Sequence, residues 1–185
     1  SYDNFEWLMN INFWGVVYGT KAFLPYLKQS GDGHVINISS IFGIIGVPTQ
    51  SAYNAAKFAV RGFTESLREE LDIERSCVSA TCVHPGGVKT NIARNSRMGD
   101  MGNIAPGSKE EITELFDRIA RSTPEQAANA ILHAVRKNRR RVLIGNDATI
   151  LDAGQRLMPA GYQRPLEALF RMRQGRQKMS SQSSQ

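Results

Sequence analysis

His34-Val35-Ile36-Asn37-Ile38-Ser39, a glycine-spaced loop, a long helical pattern from Ser51 to Ile73, and Val78-Ser79-Ala80-Thr81-Cys82-Val83 read together as strand, helix, strand. The first segment is short, β-branched and nearly continuous in apolar content. Such a run is the mark of a strand covered on both faces, as in a parallel sheet. Between 51 and 73, Ala52, Ala56, Ala59, Val60, Phe63 and Leu67 recur at helical spacing, while Arg68, Glu69, Glu70 and Glu74 take the opposite side. Parallel neighbours need a crossover of this length, and a helix is the usual one.

Upstream, Phe5, Leu8, Met9, Phe13, Val16 and Val17 fall at three- and four-residue steps, which predicts one helix from Tyr2 to Lys28. Gly31-Asp32-Gly33 breaks it. Downstream of His84-Pro85-Gly86-Gly87 the periodicity fades from Thr90 to Ser108, a stretch long enough to suggest a mobile or functional loop. Ser108 with Glu111, and Thr123-Pro124-Glu125-Gln126, carry helix-start chemistry, the second as a capping box with proline at the first helical position. Arg141 to Gly145 reads as a third strand. Ala148 to Arg173 reads as helix interrupted between Pro159 and Pro165, and residues 174–185 as a disordered polar tail. The alternation predicts an α/β fold with parallel strands, one domain over residues 1–173 and no internal repeat. Three strands are few for a self-sufficient sheet of this kind.

Composition narrows the function classes. With 41% hydrophobic and 22% charged residues among 185, the chain is neither a disordered tail nor a membrane bundle. No apolar run approaches the roughly 18 residues of a membrane span, and no signal segment opens the chain, so a cytoplasmic protein is expected. The net charge of +6 is uneven: Arg136 to Gln185 holds 11 Lys and Arg against three Asp and Glu. A nucleic-acid face would interleave aromatics with that charge, and this segment scatters only Tyr162 and Phe170 among arginines, so nucleic acid is not an expected partner. The basic stretch from Arg156 to Lys178 reads as a solvated face, with an interfacial helix on anionic lipid as the alternative. Cys77 and Cys82 sit five apart in what reads as one strand, hence on opposite faces, and suit neither a disulfide nor a metal pair. His34, His84 and His133 lack partners at ligand spacing, so no metal site is expected.

The chemistry concentrates in Ser39-Ser40, twelve residues, then Tyr53-Asn54-Ala55-Ala56-Lys57. Tyr53 and Lys57 lie one turn apart on one helix face. A phenol with a pKa near 10 is a poor proton carrier at neutral pH, and a nearby ammonium favours its ionised form. A hydroxyl at the end of the preceding strand, Ser40, is placed to hold a carbonyl or alkoxide oxygen beside it. The competing account is an ordinary first turn with a half-buried Tyr and a solvent Lys.

Further motifs share the order of a known family. The chain resembles the short-chain dehydrogenase/reductases: Asn10-Ile11-Asn12-Phe13-Trp14-Gly15 resembles the family's helix with the active-site Asn, placed at Asn12. Val35 to Ser40 resembles the strand ending in the active-site Ser, thirteen residues before the Tyr. Tyr53 to Lys57 is similar to the Tyr-x-x-x-Lys pair, and Pro85-Gly86-Gly87-Val88-Lys89-Thr90 to the Pro-Gly-x-Val-x-Thr turn. The resemblance implies a Rossmann-like doubly wound sheet and an NAD- or NADP-dependent oxidoreductase acting on a small alcohol or carbonyl substrate. It implies Tyr53 as general acid/base, Lys57 as its pKa-lowering partner and ribose contact, Ser40 as substrate-oxygen anchor and Asn12 as holder of a relay water. Asn12 has a competing role, sealing a helix irregularity. Tyr53, Lys57, Pro85, Gly86, Val88 and Thr90 are the implied cofactor contacts. Residues 91–121 fall where the family places its substrate lid, whose Met98, Met101 and Ile104 suit an apolar substrate or core filling equally. The family also implies a homodimer or homotetramer through helices 2–28 and 51–73.

The glycine-rich dinucleotide turn after a first strand is absent, as is the Asn-Asn-Ala-Gly strand expected before the first helix. Together with Ser1 at the start, this suggests the C-terminal, catalytic part of a longer domain, with an incomplete sheet whose first strand presents an open edge. NAD and NADP are not distinguishable from these residues. A catalytically incompetent module for dimerisation or binding, and a membrane-associated basic protein, are the alternatives.

Overall fold

The computed structural model describes residues 1–92, 94–96 and 109–182. Its three strands, β1 (Gly33–Ile38), β2 (Val78–Pro85) and β3 (Arg141–Ile144), form one parallel sheet in the order β1-β2-β3. Helices α1 (Tyr2–Met9) and α2 (Gly15–Gln29) precede β1, and α3 (Ser51–Ile73) crosses from β1 to β2. Helices α4 (Lys109–Ile119) and α5 (Pro124–Arg136) lie between β2 and β3, followed by α6 (Asn146–Leu157) and α7 (Gln163–Gln182). Ile38 pairs with Val83 and Pro85 with Ile144, so the carboxyl ends of the strands share one edge of the sheet.

Local chemistry explains the boundaries. Thr123 and Gln126 form the expected capping box at the start of α5. Helices α3 and α5 both end in a left-handed residue, Arg75 (φ 52°) and Asn138 (φ 47°). The closing bonds, Ser76 N to Leu71 O (2.9 Å) and Arg139 N to Ala134 O (2.9 Å), satisfy otherwise orphaned carbonyls and turn the chain into the next strand.

The core lies where α2 and α3 cover one sheet face. Val35, Leu67, Leu71, Val78 and Ala80 are buried together, with Leu24, Leu27 and Phe63 packed against them. Polar ties cross the same layer. The buried Arg68 of α3 donates through Nη1 to Ala80 O (3.1 Å) and through Nε to Asp72 (2.9 Å), and Asn37 Nδ2 donates to Thr64 Oγ1 (3.1 Å). Each buried polar group needs such a partner to offset its desolvation.

Four expectations are corrected. The helix expected over 2–28 is interrupted by a π-helical turn, Asn10–Trp14, because one extra residue per turn barely disturbs a three- and four-residue apolar pattern. Strand β1 is closed on one face only: Val35 and Asn37 are buried, whereas Ile36 and Ile38 are 38% and 42% exposed. Central β2 is the strand buried on both faces. Cys77 lies just before β2, exposed, and only Cys82 is a buried strand thiol. Residues 174–182, expected to be disordered, continue α7. The Ser108 cap, Met98, Met101 and Ile104 lie outside the described residues. Among the described residues no helix is long and apolar enough to cross a membrane, and no group of three His, Cys, Asp or Glu could hold a metal ion.

Candidate active site

Where β1 ends, two serines leave the sheet with different tasks. Ser39 N donates to Val83 O (2.8 Å) and its hydroxyl to Lys57 O (2.8 Å), binding the strand end to α3. Ser40 is extended, and its Oγ accepts from Phe42 N (3.1 Å), capping the 3-10 turn Ile41–Gly43. Ser40 also acts on the Tyr53 phenol, as a hydrogen-bond partner that lowers its pKa. A β-carbon on Gly43 would lie 2.3 Å from Ser39 Oγ and 2.6 Å from Lys57 O, so only glycine lets this turn rest on α3.

Tyr53 and Lys57 lie in the first two turns of α3. Lys57 Nζ sits over the Tyr53 ring, 5.5 Å from its centre, and donates to Ile38 O (3.1 Å). Phe42 meets Tyr53 edge-on at 5.7 Å. Ser40, Tyr53 and Lys57 therefore converge at the carboxyl edge of the sheet. Burial raises the Tyr53 pKa while the Ser40 hydrogen bond lowers it, and burial lowers that of Lys57. The leading influence on the phenol in this structure is thus burial, which favours its neutral form.

Asn12 lies on the π-helical turn, and its Nδ2 donates to Leu8 O (3.3 Å). The turn packs on α3 through Phe13, edge-on to Phe63 at 6.4 Å. The Asn12 amide bonds within its own helix, and among the described residues it shares no direct hydrogen bond with Lys57.

The end of β2 joins the same edge. His84 is fully buried, and its Nδ1 donates to Ser40 O (3.0 Å), since a carbonyl can only accept. Burial pulls its pKa down to about 4. Pro85 closes the strand, and the following turn is tied on one side to β3 and on the other to Ser122. Gly86 N donates to Ile144 O (2.9 Å), Ser122 N to Gly87 O (3.2 Å) and Lys89 N to Ser122 O (2.9 Å), with Val88 bridging Ser122. Thr90 is exposed, its hydroxyl accepting from Ile92 N (3.4 Å). The expected contacts Pro85, Gly86, Val88 and Thr90 thus follow the strand next to the one ending at Ser40.

Two residues escaped the sequence. Asn54, buried on α3, accepts from Val47 N (3.1 Å) and donates to Phe42 O and Ile45 O (both 2.8 Å), folding the loop between Ser40 and Tyr53. An amide among the alanines of an apolar stripe was the available signal. Tyr162, in the connection from α6 to α7, accepts from Gly46 N (2.9 Å), and no local pattern announces that contact.

Residues 1–100 match the family model described as short chain dehydrogenase. The chain belongs to that family. All of the site residues above, from Asn12 to Thr90, fall within the matched segment. The Mycobacterium tuberculosis protein named "Putative oxidoreductase SadH" is 50% identical over 169 residues, which cover 91% of this chain and 59% of that protein. A short-chain dehydrogenase from Burkholderia phymatum, solved with NAD, superposes with a TM-score of 0.64 at 26% identity, covering 77% of this chain and 54% of that one. Another, from Burkholderia cenocepacia and solved with NADP, gives 0.65 at 26% identity, covering 85% and 56%. The chain spans little more than half the length of these short-chain dehydrogenases, and its three-stranded sheet is a partial version of their Rossmann-like fold.

Proposed function

We propose that this chain carries the catalytic side of an NAD- or NADP-dependent oxidoreductase that interconverts an alcohol with a ketone or aldehyde. The observation that supports it is the convergence of Ser40, Tyr53 and Lys57 at the carboxyl edge of a parallel sheet, where open α/β folds bind ligands. The donor set suits a dinucleotide. Among the described residues Lys57 donates one hydrogen bond, to Ile38 O, leaving N–H groups for ribose hydroxyls. The turn from Pro85 to Thr90 would lie against the nicotinamide end. The nicotinamide, when bound, supplies or accepts the hydride.

The rest falls to this chain. Ser40, whose oxygen is already engaged by Phe42 N, donates its proton to the substrate oxygen and orients it. Tyr53 donates its phenolic proton to the carbonyl oxygen in reduction and is left as phenolate; in oxidation it must first pass that proton toward Lys57 and solvent, and the phenolate then takes the hydroxyl proton. Lys57 recharges Tyr53 from solvent, with Asn12 holding a water on the relay. The exposed faces of the helices over 2–28 and 51–73 pair two or four copies.

Tyr53→Phe in the full-length protein tests the assignment. The ring stays and only the proton carrier is lost, so turnover should fall by about a hundredfold or more while dinucleotide affinity holds within a few-fold. Undiminished turnover removes Tyr53 from the chemistry.

A further inference from the structure

We propose that Asp147 is a positioning residue for the Pro85–Val88 turn, holding by hydrogen bond the backbone against which the dinucleotide rests. The inference rests on the dehydrogenase assignment above and adds a residue to it. Asp147 lies in the first turn of α6, directly after β3, and so stands beside the end of β2. Its Oδ2 accepts from Gly87 N at 2.7 Å, the short distance of a charge-assisted bond.

The carboxylate is seated between two stretches of bare backbone. A β-carbon on Gly86 would lie 2.2 Å from Oδ2, and one on Gly145 would lie 2.3 Å from Oδ1. Gly145 has φ 94°, a conformation few other residues adopt, and it sets the bend that carries the chain from β3 into α6. On the far side of the turn, a β-carbon on Gly87 would lie 2.8 Å from Ala120 Cα. The two glycines after Pro85 are therefore small because of what presses on them from inside the protein: Asp147 at one and the end of α4 at the other.

This arrangement controls more than packing. In a trans peptide the N–H and C=O point in opposite directions, so fixing Gly87 N–H on Asp147 also fixes the Gly86 carbonyl away from α6. With Gly86 N on Ile144 O and Gly87 O on Ser122 N, each peptide of the turn is pinned before a ligand arrives. Preorganisation of this kind lowers the ordering cost of binding.

A negative charge in the first turn of α6 would also favour the helix dipole, and two variants separate the roles. Asp147→Asn keeps the shape and an acceptor oxygen but removes the charge. Asp147→Glu keeps the charge but pushes the carboxylate one methylene too far for the seat between Gly86 and Gly145. In the full-length protein, with NADH and NADPH fluorescence titrations and amide exchange at Gly87, Asp147→Glu should weaken dinucleotide binding about tenfold and speed that exchange. KM for the dinucleotide should rise in step, with kcat at saturation moving far less, and Asp147→Asn should restore most of the affinity. If Asp147→Glu binds as wild type while its Gly87 amide exchanges faster, the bond is only a tie within the fold and the proposal is overturned. Weak binding by Asp147→Asn with wild-type binding by Asp147→Glu would assign the effect to charge and overturn it as well. A wild-type protein that binds neither dinucleotide defeats the dehydrogenase assignment and this one together, whereas loss of the Asp147 effect alone leaves the former standing.

Discussion

His84 shows what a single buried residue can do to stability. It is fully buried near the end of β2, with Arg141, Arg61 and Glu65 as the charged groups that act on it. Its folded pKa of about 4 lies below the ordinary 6.5, so the fold favours the neutral ring. Stability from this group is complete above pH 6.5 and is lost as pH falls toward 4, a difference of about 3 kcal/mol at 1.4 kcal/mol per unit. Urea unfolding at pH 7 and pH 4.5 should therefore show a steeper loss in wild type than in His84→Asn, whose amide can still donate to Ser40 O. Equal losses in the two proteins would refute the role.

At the scale of elements, helix α3 organises the site through residues on both sides of Lys57. Tyr53 and Lys57 face the strand ends, while Asn54 between them gathers the loop 42–47. Removing its side chain leaves Val47 N, Phe42 O and Ile45 O without partners. Asn54→Ala should cost about 3 kcal/mol in urea-induced unfolding, and a cost below about 1 kcal/mol would show that water replaces the amide freely. The π-helical turn at Asn10–Trp14 is a second such device, since it carries Asn12 and packs Phe13 on Phe63. Four motifs at fixed intervals made Ser40, Tyr53 and Lys57 stand out in the sequence, because their residue types and spacing can be read whatever the loop between them does. Asn54, Asp147 and Tyr162 did not, because each acts on backbone that is distant in sequence or shaped only by folding.

At the scale of the molecule, two surfaces stand out among the described residues. Ile11, Trp14 and Tyr18 form an exposed stripe along the first helices, with Trp14 and Tyr18 stacked at 5.6 Å and Tyr18 64% exposed. Apolar stripes of this size mark contact surfaces. Tyr18→Lys in the full-length protein should lower the assembled mass seen by light scattering, and an unchanged mass would place any interface elsewhere. The second surface is the outer edge of β1, which among the described residues pairs with β2 alone and carries the half-uncovered Ile36 and Ile38.

Periodicity and spacing were enough to establish the α/β alternation, the parallel strands and the α5 cap, and resemblance to a family singled out Tyr53, Lys57 and Ser40, since these depend on residue type at short separations. Folding settled which strand is central, where the first helix widens into a π-turn, that burial raises the Tyr53 pKa, and that Asp147 meets Gly87 across 60 residues of chain. Those outcomes depend on desolvation and on the approach of distant backbone, and neither is written in any local pattern of residues.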